Sequence, residues 1–162
     1  MRSVLVYIGI TLFIFISPQA QQWREIVPLH STRADVERLL GPSDGKVQGT
    51  YKFENEVVTI QYSEDPCNKD NHQDWNVPPD TVINITVSPR SGILFADMPI
   101  DKTKLKKEED PRSSYISYIN EEEGITYVVS VIGTIAYVNY GPKAKDNHLR
   151  CPLTSAKQSC RK

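Results

Sequence analysis

The 162 residues, 24% of them charged, balance to a net charge of −1, a length that suits one domain with a single hydrophobic core. Basic and acidic residues alternate along the chain, which excludes the one-signed footprint of a nucleic-acid or anionic-membrane binder. Beyond residue 20 there is no long apolar run, short-period repeat or low-complexity tract.

Arg2 precedes an apolar run from Val4 to Ile16, and Ser17-Pro18-Gln19-Ala20 follows. Spanning a bilayer takes about 20 apolar residues, so this shorter run reads as a secretory signal peptide over residues 1–20, cleaved after Ala20. No cysteine adjoins the junction to carry a lipid. The expected product is an exported protein, periplasmic or extracellular, with no stable membrane anchor. Its domain covers residues 21–152 and a polar, flexible tail covers 153–162.

Thr32-Arg33-Ala34-Asp35 has the spacing of a capping box, and Val36, Leu39 and Leu40 follow at i, i+3 and i+4. These residues predict a short amphipathic helix with Val36, Leu39 and Leu40 inward and Arg33, Glu37 and Arg38 in solvent. Gly41-Pro42 ends it. From Thr50 the period becomes two, with Tyr51 and Phe53, then Val58, Ile60 and Tyr62, on either side of Glu54-Asn55-Glu56, the pattern of a hairpin.

Ser63 to Pro79 is a long polar loop holding Cys67, His72 and Trp75. Thr81 to Val87 alternates again, predicting Ile83, Ile85 and Val87 on one face and Val82, Asn84 and Thr86 on the other. Asp101 to Asp110, rich in lysine and glutamate, reads as a solvated connection. Tyr115–Ile119, Ile125–Val131 and Thr134–Tyr140 predict an antiparallel meander joined at Asn120–Gly124 and at Ile132-Gly133. The expected fold class is α+β, a short N-terminal helix packed on a largely antiparallel sheet of about six strands. A lead-in followed by three strands recurs in each half.

Exported cysteines favour disulfides, and Cys67 with Cys151 is the expected pair because both flank the strand region in polar loops. An alternative brings Cys67, His72, His148 and Cys151 together as a zinc set. Otherwise no metal or cofactor is expected, and no Gly-x-Ser-x-Gly elbow or Ser-x-x-Lys motif is present. His30, just ahead of the helix, reads as packed or solvated there. Tyr115, Tyr118, Tyr127, Tyr137 and Tyr140 fall on adjacent predicted strands, where they would form either cross-strand packing or a platform for a sugar or peptide beside the Trp75 loop.

The segment His30 to Pro42, with its helix and Gly-Pro stop before a Tyr51-containing hairpin, resembles the opening of BamE-type (SmpA/OmlA) exported domains. Their broader fold is shared with β-lactamase inhibitor protein. The resemblance covers about a third of the chain after Ala20 and implies a helix ahead of a three-stranded antiparallel sheet. The lipobox cysteine of those lipoproteins is missing here. Trp23–Leu29, Trp75–Pro78, Glu121–Gly124 and His148–Pro152 look like segments of a group of bacterial exported proteins of unknown function.

These readings lead to a non-enzymatic protein–protein interaction domain whose partner is a protein of the cell envelope. One alternative is a sugar- or peptide-binding module using Trp75 and the tyrosine face. Another is an envelope hydrolase, for which Asp74 and His148 are the residues to test.

Overall fold

Apolar and polar residues alternate in most of the strands, so the pleat sends one set of side chains to each side of a single sheet. The structure, a computed structural model, describes residues 23–43, 49–67 and 74–152. The expected leader, the expected tail with Cys160, and His72 lie outside the described residues.

After the helix α1 (Arg33–Leu40) come β1 (Thr50–Lys52), β2 (Glu56–Tyr62), β3 (Val82–Pro89), β4 (Lys106–Glu109), β5 (Tyr115–Asn120), β6 (Ile125–Ser130) and β7 (Ile135–Tyr140). They form one sheet in the order β1-β2-β3-β7-β6-β5-β4, every neighbouring pair antiparallel. The pairing of β3 with β7 joins two meanders, and β1-β2-β3 and β5-β6-β7 run outward from it in opposite directions.

The α+β expectation of about six strands is thereby corrected. The described residues form a mostly antiparallel sheet of seven strands with one helix of two turns. The added strand is β4, Lys106-Lys107-Glu108-Glu109, in the segment expected to be a solvated connection. It is an edge strand, hydrogen-bonded only to β5 and exposed along its length. An exposed edge buries no face, so the strand carries no apolar alternation to reveal it, and its charges discourage further strand addition.

The registers place Val58, Ile60, Ile85, Val87, Val138 and Tyr127 on one face. Two segments cover that face. Trp23, Ile26 and Val36 pack on the β1-β2-β3 half, and Phe95 with Met98, Ile100 and Leu105 packs on the β5-β6-β7 half. Tyr140 touches both clusters. Val82 departs from the expected alternation: the register shifts between Gln61 and Tyr62, turning Val82 fully into the core while Ile83 stays half-buried.

The capping box forms as its spacing predicts, with Thr32 Oγ1 accepting from Asp35 N and Thr32 N donating to Asp35 Oδ2 at 3.0 Å. The backbone hydrogen bond from Thr32, followed by that from its hydroxyl, holds the Asp35 carboxyl below the usual range. Gly41 ends the helix with φ +80°, its N–H donating to Glu37 O. Val36 is buried and Leu40 packs against the core, but Leu39 is exposed. At about 100° per residue, Leu40 lies about 40° from Val36 on one side and Leu39 about 60° away on the other. Arg33 falls on Leu40's side, and instead of facing solvent it lies over the Tyr62 ring.

Ile85, buried at the centre of the sheet, should therefore carry far more stability than Leu39. In chemical denaturation, Ile85→Ala is expected to cost about 2 to 5 kcal/mol, and Leu39→Ala less than about 1 kcal/mol. Burial pushes the Tyr140 phenol up from 10.0 to about 12. A raised folded-state value keeps this stability intact below pH 10.0 and loses it as pH climbs toward about 12, because only the unfolded chain ionises there. Tyr140→Phe should flatten the alkaline limb of a stability–pH profile measured between those limits.

Candidate functional site on the open sheet face

The opposite face is polar and open to solvent. Thr59 and Gln61 on β2 stand beside Thr86 and Asn84 on β3, Thr86 faces Asn139 on β7, and Asn139 faces Thr126 on β6. Tyr137, Val128 and Ser117 continue the face across β7, β6 and β5, and Val128 is the only buried strand residue on it among those described. Asn84 Nδ2 donates to Thr86 Oγ1 at 3.2 Å, and Thr86 Oγ1 donates to Asn139 Oδ1 at 2.8 Å. This row orients amide and hydroxyl groups on rigid strands before any ligand arrives.

A groove of about 530 Å³ lies at one end of this face, lined by Arg33, Thr59, Gln61, Tyr62, Asp80 and Asn84 among others. The Arg33 guanidinium sits 4.0 Å from the Tyr62 ring centre, and its Nε donates to Asp80 Oδ1 at 2.8 Å. Ser63 holds the rim: its Oγ donates to Pro78 O and accepts from Thr81 N, while its carbonyl accepts from Asp80 N. The enclosed Tyr62 hydroxyl lies near the Tyr51 hydroxyl without a well-aligned hydrogen bond. Burial, and secondly that neighbour, push the Tyr62 phenol well above its ordinary value.

Beyond the groove the chain is tied covalently. Cys67 and Cys151 form a disulfide across a separation of 84 residues, as expected from the sequence. Cys151 N donates to Asp74 O, Asn76 N donates to Leu149 O, and the Arg150 guanidinium lies 4.4 Å from the Trp75 ring centre. Trp75 is thus part of a braced corner. The zinc alternative of Cys67, His72, His148 and Cys151 is corrected, because sulfurs bonded to each other offer no thiolate to a metal. His148 Nδ1 lies 3.0 Å from Lys145 O, and Asp74, the other residue named for a hydrolase, is anchored through its carbonyl to Cys151.

The tyrosines expected to share a platform are divided by the pleat. Tyr118 and Tyr127 are cross-strand partners on the covered face, where Phe95 stacks on Tyr118 at 4.3 Å and packs against Tyr127 at 5.9 Å. Tyr140 joins that core. Tyr115 and Tyr137 alone project to the open side. Sequence reasoning also missed a contact of His30, whose Nε2 lies 3.0 Å from Oδ1 of Asp146, a carboxylate only 2% exposed. The pair ties the N-terminal segment to the helical turn Ala144–Leu149. With the partners 116 positions apart in the chain, no local pattern announces it.

No protein-family model matches the chain, and no curated protein matches it. The BamE-type resemblance of the opening segment finds no support in these comparisons. Among solved structures, a similar chain is the DUF4309 family protein YjgB of Bacillus subtilis subsp. subtilis str. 168. It is 18% identical, with 78% of this chain and 86% of that chain covered and a TM-score of 0.49. It supplies no residue assignment here.

The disulfide closes a long loop, so opening it should matter for stability. Cys67→Ser with Cys151→Ser should lower the unfolding free energy by about 4.6 kcal/mol in the loop-entropy model. Denaturant titration of the double variant, beside wild type with and without reductant, measures this. Wild type in reductant should match the variant.

Proposed function

We propose that this is an exported, non-enzymatic interaction domain that holds a protein partner of the cell envelope against its open polar sheet face. The observation that carries the reading is the ordered Asn84–Thr86–Asn139 row, flanked by the exposed Thr59 and Gln61. Five strands from β2 to β5, at about 4.8 Å spacing, make a face roughly 19 Å wide. The braced Trp75–Arg150 corner extends it toward the patch of about 800 Å² per side that stable protein complexes use. Side chains fixed on strands lose little entropy on binding, and their donors and acceptors offer specificity to a polar partner.

A second reading has its own observation. The groove at Arg33, Asp80 and Gln61 falls in the volume range of about 300 to 1,000 Å³ typical of small-ligand sites, and its polar lining suits a sugar or short peptide. There Arg33 and Asp80 would supply charged hydrogen bonds and the Tyr62 ring an apolar wall.

Photo-reactive side chains placed at Thr59, Gln61 or Thr126 should cross-link one and the same protein in the native envelope, while one placed at exposed Lys104 should not. Asn84→Ala combined with Thr86→Val should weaken capture about tenfold, with an unchanged melting temperature. Equal cross-linking from all positions defeats the proposal. Saturable sugar or peptide binding that Arg33→Ala abolishes, without protein capture, replaces it with the second reading.

A further inference from the structure

A second recess lies at the braced end of the open face, away from the apolar tip that Val131 and Ile132 form at the β6–β7 turn. It encloses about 390 Å³ between Asn120, Thr126, Gly141, Lys143, Asn147 and Arg150. The Lys143 side chain, 12% exposed, pairs with Glu123 at 2.9 Å, and Glu121 on the rim pairs with Lys106 at 3.5 Å. Arg150 therefore supplies the unbalanced charge. Arg24, Arg33, Arg38 and Arg112 each pair with a carboxylate, whereas Arg90 and Arg150 pair with none among the described residues. Of those two, Arg150 alone is laid on an aromatic ring, 4.4 Å from the Trp75 centre, and its Nε donates to Asn147 Oδ1 at 3.0 Å. The guanidinium is fixed by its flat side and by one N–H, which leaves its two terminal amino groups as a parallel pair of donors. That fork matches a carboxylate, and one uncompensated positive charge suits a singly charged group.

This recess and the Arg33–Asp80 groove meet at Gly141. Ile85 pairs with Tyr140, so the position after β7 sets Gly141, in the recess, beside Asn84, in the groove. A methyl group on Gly141 would stand 3.8 Å from Asn84 Oδ1 and 3.7 Å from Gly124 O. A side chain has room there, and its absence leaves the floor open from one recess to the other. The joined channel crosses β2, β3, β7, β6 and β5, about 19 Å at about 4.8 Å per strand, which an extended chain of about six residues spans. Along its middle runs the Asn84–Thr86–Asn139 row, whose amides and hydroxyl match the amide groups of a peptide backbone. We infer that this channel binds an extended peptide segment whose carboxylate, at a C terminus or on an acidic side chain, is held by Arg150. The inference rests on the protein-partner reading and names the part of the partner that is held.

The test uses the full chain and pools of hexapeptides of mixed Ala, Ser, Thr, Asn and Gln, carrying an uncharged fluorophore at the N terminus. One pool ends in a C-terminal acid, one in an amide, and one in a final Glu followed by an amide. By fluorescence polarisation, the acid pool, the Glu-ended pool or both should bind about tenfold or more tighter than the plain amide pool, and the preferred pool identifies the source of the carboxylate. Arg150→Gln should abolish that preference, and Arg150→Lys, which keeps the charge without the fork, should retain it only in part. Gly141→Val, which leaves Arg33 and Arg150 in place, should weaken the preferred pool about tenfold with an unchanged melting temperature. Equal affinity of the three pools, absent binding included, overturns the inference, as does a carboxylate preference that survives Arg150→Gln. Undiminished binding by Gly141→Val overturns the extended-chain assignment. Pools that bind alike, beside a protein still cross-linked from Gln61, would remove this inference and leave the protein-partner reading in place; carboxylate-dependent peptide binding with no cross-linked protein would do the reverse.

Discussion

The antiparallel pairing of β3 with β7 is the constraint on which the rest of this molecule depends. It joins strands 53 residues apart at Thr86 and Asn139, and it converts two local meanders into one sheet. Each meander alone has three or four strands and only one of the two core clusters. Joined, they share Tyr140, which packs against both clusters and whose phenol is pushed up by burial. The same pairing also places Thr86 against Asn139 on the other side. One set of main-chain contacts therefore supports the core and the candidate binding row together.

The pleat then divides labour between the two faces. On the covered side, Ile85, Val87 and Val138 form a continuous apolar surface under the segments that begin at Trp23 and Phe95. On the open side, the neighbours of those same residues are Asn84, Thr86, Ser88, Tyr137 and Asn139, all but Tyr137 small polar side chains. A single-residue slip in register would exchange the two surfaces, so the buried face is what keeps the polar face in place. The bulge between Gln61 and Tyr62 is the local exception, and it sits at the groove. A register shift there turns Val82 into the core while Gln61 and Asn84 stay paired on the open side.

The disulfide and the His30–Asp146 contact work over a longer range. Both connect early chain to late chain at the end of the sheet opposite the apolar tip. That braced end carries the groove rim and the Trp75–Arg150 stack, while the other carries Val131, Ile132 and the entry of the chain at Trp23.

The sequence by itself determined the elements whose signals are local. The capping box at Thr32 and Asp35, the Gly41 stop, the hairpin from Tyr51 to Tyr62 and the meander from Tyr115 to Tyr140 follow from periodicity and turn chemistry, which act over a few residues. The Cys67–Cys151 pairing was legible because both cysteines lie in polar loops that flank the strand region. Tertiary structure alone decided the rest. β4 has no apolar pattern because an edge strand needs none, Arg33 was drawn from solvent by the Tyr62 ring and Asp80, and the tyrosines were divided by the register of strands that no local signal sets. The candidate binding row shares that origin: Asn84 and Thr86 could be placed on one face by alternation, but Asn139 reaches them only through the β3–β7 pairing, a contact between distant segments whose free energy comes from burying the whole core.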